Sequence, residues 1–211
     1  MTEQQQRQEM VTIARSFYQR GYATGSAGNL SVLLDDGAIL ATPTGSCLGE
    51  LLPEDLSKVT LDGNWLSGKK PSKEVSFHLA LYNQNPACRA VVHLHCHYLT
   101  ALSCLNNLNP ENAMTPCTPY VVMRVGDIPV VPYFRPGDAQ IGEHLGELAP
   151  HYRAFLLANH GPVVTGNTLR DATDNLEEME AAARLFFTLE TWPVRYLTAE
   201  EIATLRSAYH A

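Results

Sequence analysis

A largely antiparallel sheet with helical cover, held in one domain, is the fold class this sequence predicts, and three observations carry it. Short apolar runs broken by turn residues read as hairpins: "LSVLLDDGAILATP" about Asp35–Gly37, and "SKVTLDGNWLSG" further on. Helical periodicity is mixed in among these strands. The 211 residues are enough for one substantial core and short for two, and no repeat, low-complexity segment or linker divides them.

The elements follow in order. Apolar residues at 10, 13, 14, 17 and 18 have helical spacing, so an opening helix ends near Gly21. "TGSAGNLS" (24–31) is a small-residue loop entering the first hairpin, and "TGSCLGELLPEDL" is a loop closing on a short helical turn before the second. "PSKEVSFHLALYNQNP" (71–86) is a helix stopped before Pro86, with Glu74 in its first turn. "CRAVVHLH" is a buried strand by its β-branched content, and "YLTALSCL" resumes helical spacing. Strands are expected at "YVVM", "IPVVPYF" and "AFLLANHGPVVTG", with a helix at "DAQIGEHLGEL" between the last two. Apolar residues at 169, 172, 176, 179, 183, 186 and 187 mark a helix from Thr168 to about Glu190. "TAEEIATLRSAY" carries a Thr198/Glu201 capping box and should be the final helix.

A net charge of −7 argues against a nucleic-acid backbone as the main partner, although local basic residues can still grip a small phosphorylated ligand. The N-terminus lacks the apolar core of a signal peptide, and no run approaches the ~20 residues that span a bilayer. The five cysteines are odd in number and include no C-x-x-C pair. A disulfide framework and a zinc-thiolate knuckle are therefore not expected, and a reduced cytoplasmic setting is.

Histidines carry the strongest chemical signal. In "VVHLHCHY", a strand over 90–95 would place His93 and His95 on one face with Cα atoms ~7 Å apart, near enough to share an ion. His97 would lie ~13 Å from His93, too far to join them, and Cys96 would point the other way. The same spacing also suits hydrogen-bonded structural histidines. "LANHGPVV" adds His160 at a strand end, and "PSKE" adds Glu74, a carboxylate that could merely complement the helix dipole. His78, one turn later, reads as structural. Three imidazoles and one carboxylate together would suit Zn²⁺ or another borderline divalent metal. The loops "SAGNLS", "TPTGS" and "PSKE" supply backbone N–H groups, hydroxyls and a helix N-terminus of the kind a phosphate needs, although each alone is also an ordinary turn. None matches a nucleotide-binding fingerprint.

In this order, "GSAGNLS", "TPTG", "PSKE", "VVHLH" and "ANHG" resemble the class II aldolase/adducin family, represented by fuculose-phosphate aldolase, over about residues 8–190. The resemblance implies a three-layer α/β/α fold with a central, mainly antiparallel sheet, and commonly a cyclic homotetramer with sites at subunit interfaces. It implies that His93, His95 and His160 bind zinc, and that Glu74 is the acid/base that also closes the metal shell when substrate is absent. It implies a phosphate cup at Gly28, Asn29, Thr44, Gly45 and Ser72, and matches Tyr120 to a tyrosine directed at substrate from a neighbouring subunit. Tyr209 is a second interfacial candidate. His97 becomes a pocket-wall residue or a structural one.

One departure is informative. The fuculose aldolase pattern has two serines before its glutamate, but here the second is Lys73. "PSKE" and "YFRPGD" together resemble the branch that decarboxylates 3-oxo-tetronate 4-phosphates. Lys73 beside the cup suits a more anionic substrate or firmer phosphate binding; Arg135 could hold a carboxylate or form a salt bridge. The resemblance thus implies a carboxy-lyase: loss of CO₂ leaves a metal-stabilised enediolate that Glu74 protonates to dihydroxyacetone phosphate. An aldolase cleaving a ketose 1-phosphate uses the same intermediate and is the alternative. A sugar-phosphate 4-epimerase or a non-catalytic adducin-like scaffold stands behind both.

Overall fold

The computed structural model describes residues 1–209. Helix α1 (Glu3–Gln19) leads into the hairpin of β1 (Asn29–Leu33) and β2 (Ala38–Ala41). A 3-10 turn at Pro53–Asp55 precedes β3 (Ser57–Thr60) and β4 (Trp65–Ser67). Then come α2 (Val75–Gln84), β5 (Ala90–His93), α3 (His97–Ser103) and α4 (Pro119–Arg124). The chain continues through β6 (Val130–Val131), α5 (Ala139–Leu148), β7 (Ala154–Leu157) and β8 (Gly161–Gly166). It closes with α6 (Leu169–Leu189) and α7 (Ala199–Tyr209).

The strands form one sheet in the order β4-β3-β2-β1-β5-β8-β7-β6. Every neighbouring pair is antiparallel except β6 with β7. Alternation along the strands divides their side chains between two cores. Leu30, Val32, Ala90, Val92, Leu156 and Val164 face α1, α3, α4 and α6. Ile39, Ala41, Val91, Phe155 and Val163 face α2 and α5. These are the three layers expected of the fold. On α6, Leu176 and Met179 have no exposed surface, and burial of such a side chain contributes about 1.5–3 kcal/mol. Thr168 caps that helix by accepting the Asp171 N–H, and the Thr198/Glu201 box is present with both of its bonds.

Four expectations need correction. "YVVM" is not a strand: Pro119 opens α4 there, and Val121 and Val122 are buried. A four-residue apolar run carries no period that separates strand from helix, so packing against α6 and α7 decides. "IPVVPYF" contributes only Val130–Val131, because Pro129 and Pro132 flank it and lack N–H donors. β5 stops at His93 rather than running to 95. Glu74 sits at the N-cap of α2, not inside its first turn, and its side chain makes no capping bond.

Candidate functional site

The register places three backbones together at one end of the sheet. Asn29 of β1 pairs with His93 of β5, and His93 with Val163 of β8. Gly28, just before β1, has φ +85, and a Cβ there would lie 2.9 Å from the His93 carbonyl oxygen. Only glycine allows both the conformation and the approach. Past His93 the chain turns, burying Leu94 and Cys96 in the α3/α6 core. Glu180 of α6 holds this turn: its buried carboxylate accepts the N–H groups of Tyr98 and Leu99, each at 2.9 Å. The C-terminus of α3 grips the β7–β8 turn. Ser103 accepts the Asn159 N–H on its carbonyl at 2.8 Å and the His160 N–H on its Oγ at 3.2 Å. Thus α3 ties the segments bearing His95 and His160 to one rigid piece.

One ring nitrogen from each of His93, His95 and His160 lies within 4.8 Å of the other two. His93 Nδ1–H donates to the Pro162 carbonyl at 2.8 Å, which leaves its Nε2 as a lone pair. That Nε2 faces His95 Nε2 at 3.1 Å, while His160 Nε2 is buried with no hydrogen-bond partner. Burial pushes the His93 pKa down to about 3 and lowers those of His95 and His160. Neutral imidazoles aiming lone pairs at a common point, one of them orphaned, have the donor chemistry of a divalent metal site.

Glu74 completes the arrangement. Its Oε1 lies 3.5 Å from His160 Nε2 and its Oε2 3.6 Å from His93 Nε2. Two ligands of one tetrahedral zinc sit about 3.4 Å apart, so this spacing suits a shared ion better than a direct hydrogen bond. Burial alone would raise the Glu74 pKa, but His93, the Asn29 amide and His160 outweigh it and hold the carboxyl below its ordinary value. Asn29 Nδ2–H donates to Glu74 Oε2 at 2.7 Å.

The residues expected to bind phosphate lie on loops tied to the segment that carries Glu74. A bridge between Pro43 and Pro71, with the Thr44 N–H on the Lys70 carbonyl at 2.9 Å, ties the loop bearing the exposed Thr44 and Gly45 to the segment that leads into Ser72 and Glu74. Ser72 Oγ accepts the Glu74 N–H at 3.2 Å. Lys73 is exposed, with its stem against Gly137, and its charge contributes to the low pKa of His160. Asn29 differs from the rest: its side chain is taken up by Glu74 and His78.

Other expected residues lie outside this constellation. Tyr120 is 58% exposed on the first turn of α4 and has no hydrogen bond to the cluster among the described residues. His97 is exposed and meets Tyr98 edge-on. Arg135 pairs with Asp138 at 3.3 Å, and Tyr209 is exposed. Glu180 and Ser103 went unnoticed in the sequence, because only the fold brings them to the histidine-bearing turns.

Comparison with known proteins places this geometry. The description of the class II aldolase and adducin N-terminal domain matches residues 8–187. A 3-oxo-tetronate 4-phosphate decarboxylase of Pectobacterium atrosepticum is 66% identical over 204 residues, spanning 97% of this chain and 94% of that protein. A protein of the same name from Haemophilus influenzae is 58% identical over 98% of this chain and 99% of its own length. The solved structure of YgbL from Klebsiella pneumoniae superposes with a TM-score of 0.96 at 67% identity, covering 98% of this chain and 100% of that one. An L-fuculose 1-phosphate aldolase structure superposes at 0.86 with 25% identity, covering 97% and 96%.

Proposed function

The chain belongs to the class II aldolase and adducin family, and on that premise we propose that it is a metal-dependent carboxy-lyase converting a 3-oxo-tetronate 4-phosphate to dihydroxyacetone phosphate and CO₂. The observation that carries this reading is the convergence of three neutral imidazoles on the buried Glu74 carboxylate. The names of relatives at 58–66% identity select decarboxylation among the reactions such a site can run.

His93, His95 and His160 hold the metal, with Glu74 as a fourth ligand before substrate arrives; Zn²⁺ is the ion we assign from the three-imidazole, one-carboxylate donor set. When bound, the metal supplies Lewis-acid stabilisation for the negative charge left on the substrate oxygens. The backbones of Gly28 and Asn29, with Thr44, Gly45, Ser72 and Lys73, bind the phosphate. That grip orients the carboxylate end of the substrate toward the histidines. As the C1–C2 bond breaks, CO₂ leaves and the bonding electrons pass into the enediolate. Glu74, ionised before substrate arrives, takes a proton from water and delivers it to C2, giving the hydroxymethyl ketone and restoring the carboxylate for the next turnover.

The finer reading takes residues 1–211 as one domain of a cytoplasmic homo-oligomer, a tetramer as in the family, with Tyr120 reaching the site of a neighbouring copy. Its five free cysteines and its lack of a helix long and apolar enough to cross a membrane among the described residues are compatible with that setting.

The test is a substrate panel with Zn²⁺, following CO₂ and aldehyde separately. CO₂ from a 3-oxo-tetronate 4-phosphate supports the reading. Aldehyde from fuculose 1-phosphate, with no CO₂ from any oxo acid, replaces it with the aldolase alternative, which a 36% identical L-fuculose phosphate aldolase of Methanococcus maripaludis also represents. Glu74→Gln should keep the metal and lose about 10²–10⁴ in kcat.

A further inference from the structure

Beneath Glu74 lies a buried polar stripe that the reaction above does not use. Glu74, His78 and Tyr82 recur every four residues on α2, while Asn29 and Ser31 alternate on the facing side of β1. Four helical residues advance about 6 Å and two strand residues about 6.6 Å, so the two rows run in step. The bonds follow that match. Tyr82 Oη lies 2.8 Å from Ser31 Oγ, Ser31 Oγ 2.7 Å from His78 Nδ1, His78 Nε2 2.6 Å from Asn29 Oδ1, and Asn29 Nδ2 2.7 Å from Glu74 Oε2. His78 and Ser31 have no exposed surface, Asn29 has 4% and Tyr82 5%.

Donor and acceptor capacity sets one direction along this chain. The Glu74 carboxylate only accepts, so Asn29 must turn its NH₂ toward it and its oxygen toward His78. His78 must then carry its proton on Nε2. Its Nδ1 is left to accept from the Ser31 hydroxyl, which in turn accepts from the Tyr82 hydroxyl. No group in the stripe is left unpaired, as a buried network requires.

We propose that His78 is a positioning residue, which with Ser31 and Tyr82 fixes the Asn29 amide so that Glu74 Oε2 is held and Oε1 is the oxygen that carries the proton to substrate. The proposal rests on reading Glu74 as the acid/base of the reaction above. Without the donor from His78, Asn29 Oδ1 loses its partner, and the amide is free to rotate out of line with the carboxylate. Glu74 would then lose its fixed orientation while all three imidazoles stay in place.

Nitrogen-15 NMR of the histidine side chains in the metal-loaded protein tests the direction of the chain without reference to turnover. The Nε2–H tautomer at His78 is expected; an Nδ1–H tautomer overturns the proposal. Kinetics of His78→Leu and His78→Gln test the consequence. His78→Leu should bind one metal per chain, keep KM within about twofold and lose about 10–100-fold in kcat. His78→Gln, whose amide can still donate to Asn29, should recover most of that loss. Wild-type kcat in His78→Leu, or a fall in metal content with a rise in KM in both variants, overturns it. Should His78→Leu fail to fold, the tautomer and the glutamine variant decide. If the wild-type protein releases no CO₂, the reaction assignment fails, while the tautomer still reports on the relay.

Discussion

The histidine pocket and the loops proposed to bind phosphate are built in opposite ways. His93 has no exposed surface, Glu74 has 7% and His160 8%, and their backbone supports come from β5, β8, α3 and α6. Of the residues proposed to bind phosphate, Thr44, Gly45 and Lys73 are exposed, on loops joined by one bridge. A metal ligand must offer a lone pair with little reorganisation, so its ring is locked by packing and by a second hydrogen bond. A phosphate is met by N–H and hydroxyl groups that water satisfies in the free protein, so its binding loops can remain open. Preformed and buried on one side, open on the other, the site has its energetic cost concentrated in the pocket.

The sharpest break of that contrast is His93→Ala. Metal content should fall from one ion per chain to none and turnover to background, as measured by elemental analysis and CO₂ release. Retention of stoichiometric metal would show that the pocket does not depend on its most buried ring. Next in size is a pH effect confined to the buried side. Burial lowers His78 and His93 from 6.5 to about 3, so below pH 6.5 the unfolded chain binds protons that the folded chain refuses. Stability of the metal-free protein is therefore full above pH 6.5 and falls toward pH 3, by on the order of 1 kcal/mol per pH unit for each histidine. Urea titrations should show a shallower slope in His78→Gln than in the wild type, and a flat wild-type profile would contradict neutral burial. The smallest effect belongs to the loops proposed to bind phosphate. Lys73→Met should raise KM about tenfold, in keeping with ~1.4 kcal/mol for a solvent-screened phosphate contact. The change should shrink at high salt and leave metal content and stability untouched. A fall in metal content instead would tie those loops to the pocket.

Much of the site was legible because its parts are local. "HLH", "NHG" and "SKE" each keep a ligand beside the backbone feature that aims it, and hairpin chemistry around Asp35–Gly37 produced the observed turn. What misled was burial. Asn29 and Ser31 alternate with Leu30 and Val32, a pattern that ordinarily means one wet face, yet both faces of β1 are buried. "YVVM" likewise has strand composition and becomes a helix between two others.

By itself, then, the sequence determined the order of most elements, the candidate nitrogen and oxygen donors, and the family. Tertiary structure alone decided that His95 reaches His93 after the strand has ended, that Glu180 and Ser103 hold the ligand-bearing turns, and that Asn29 serves Glu74 with its side chain. The reason is physical. Residue type and short spacing decide which atoms can donate or accept, whereas the partner a buried polar atom must find lies up to 82 residues away and is chosen only when the layers close.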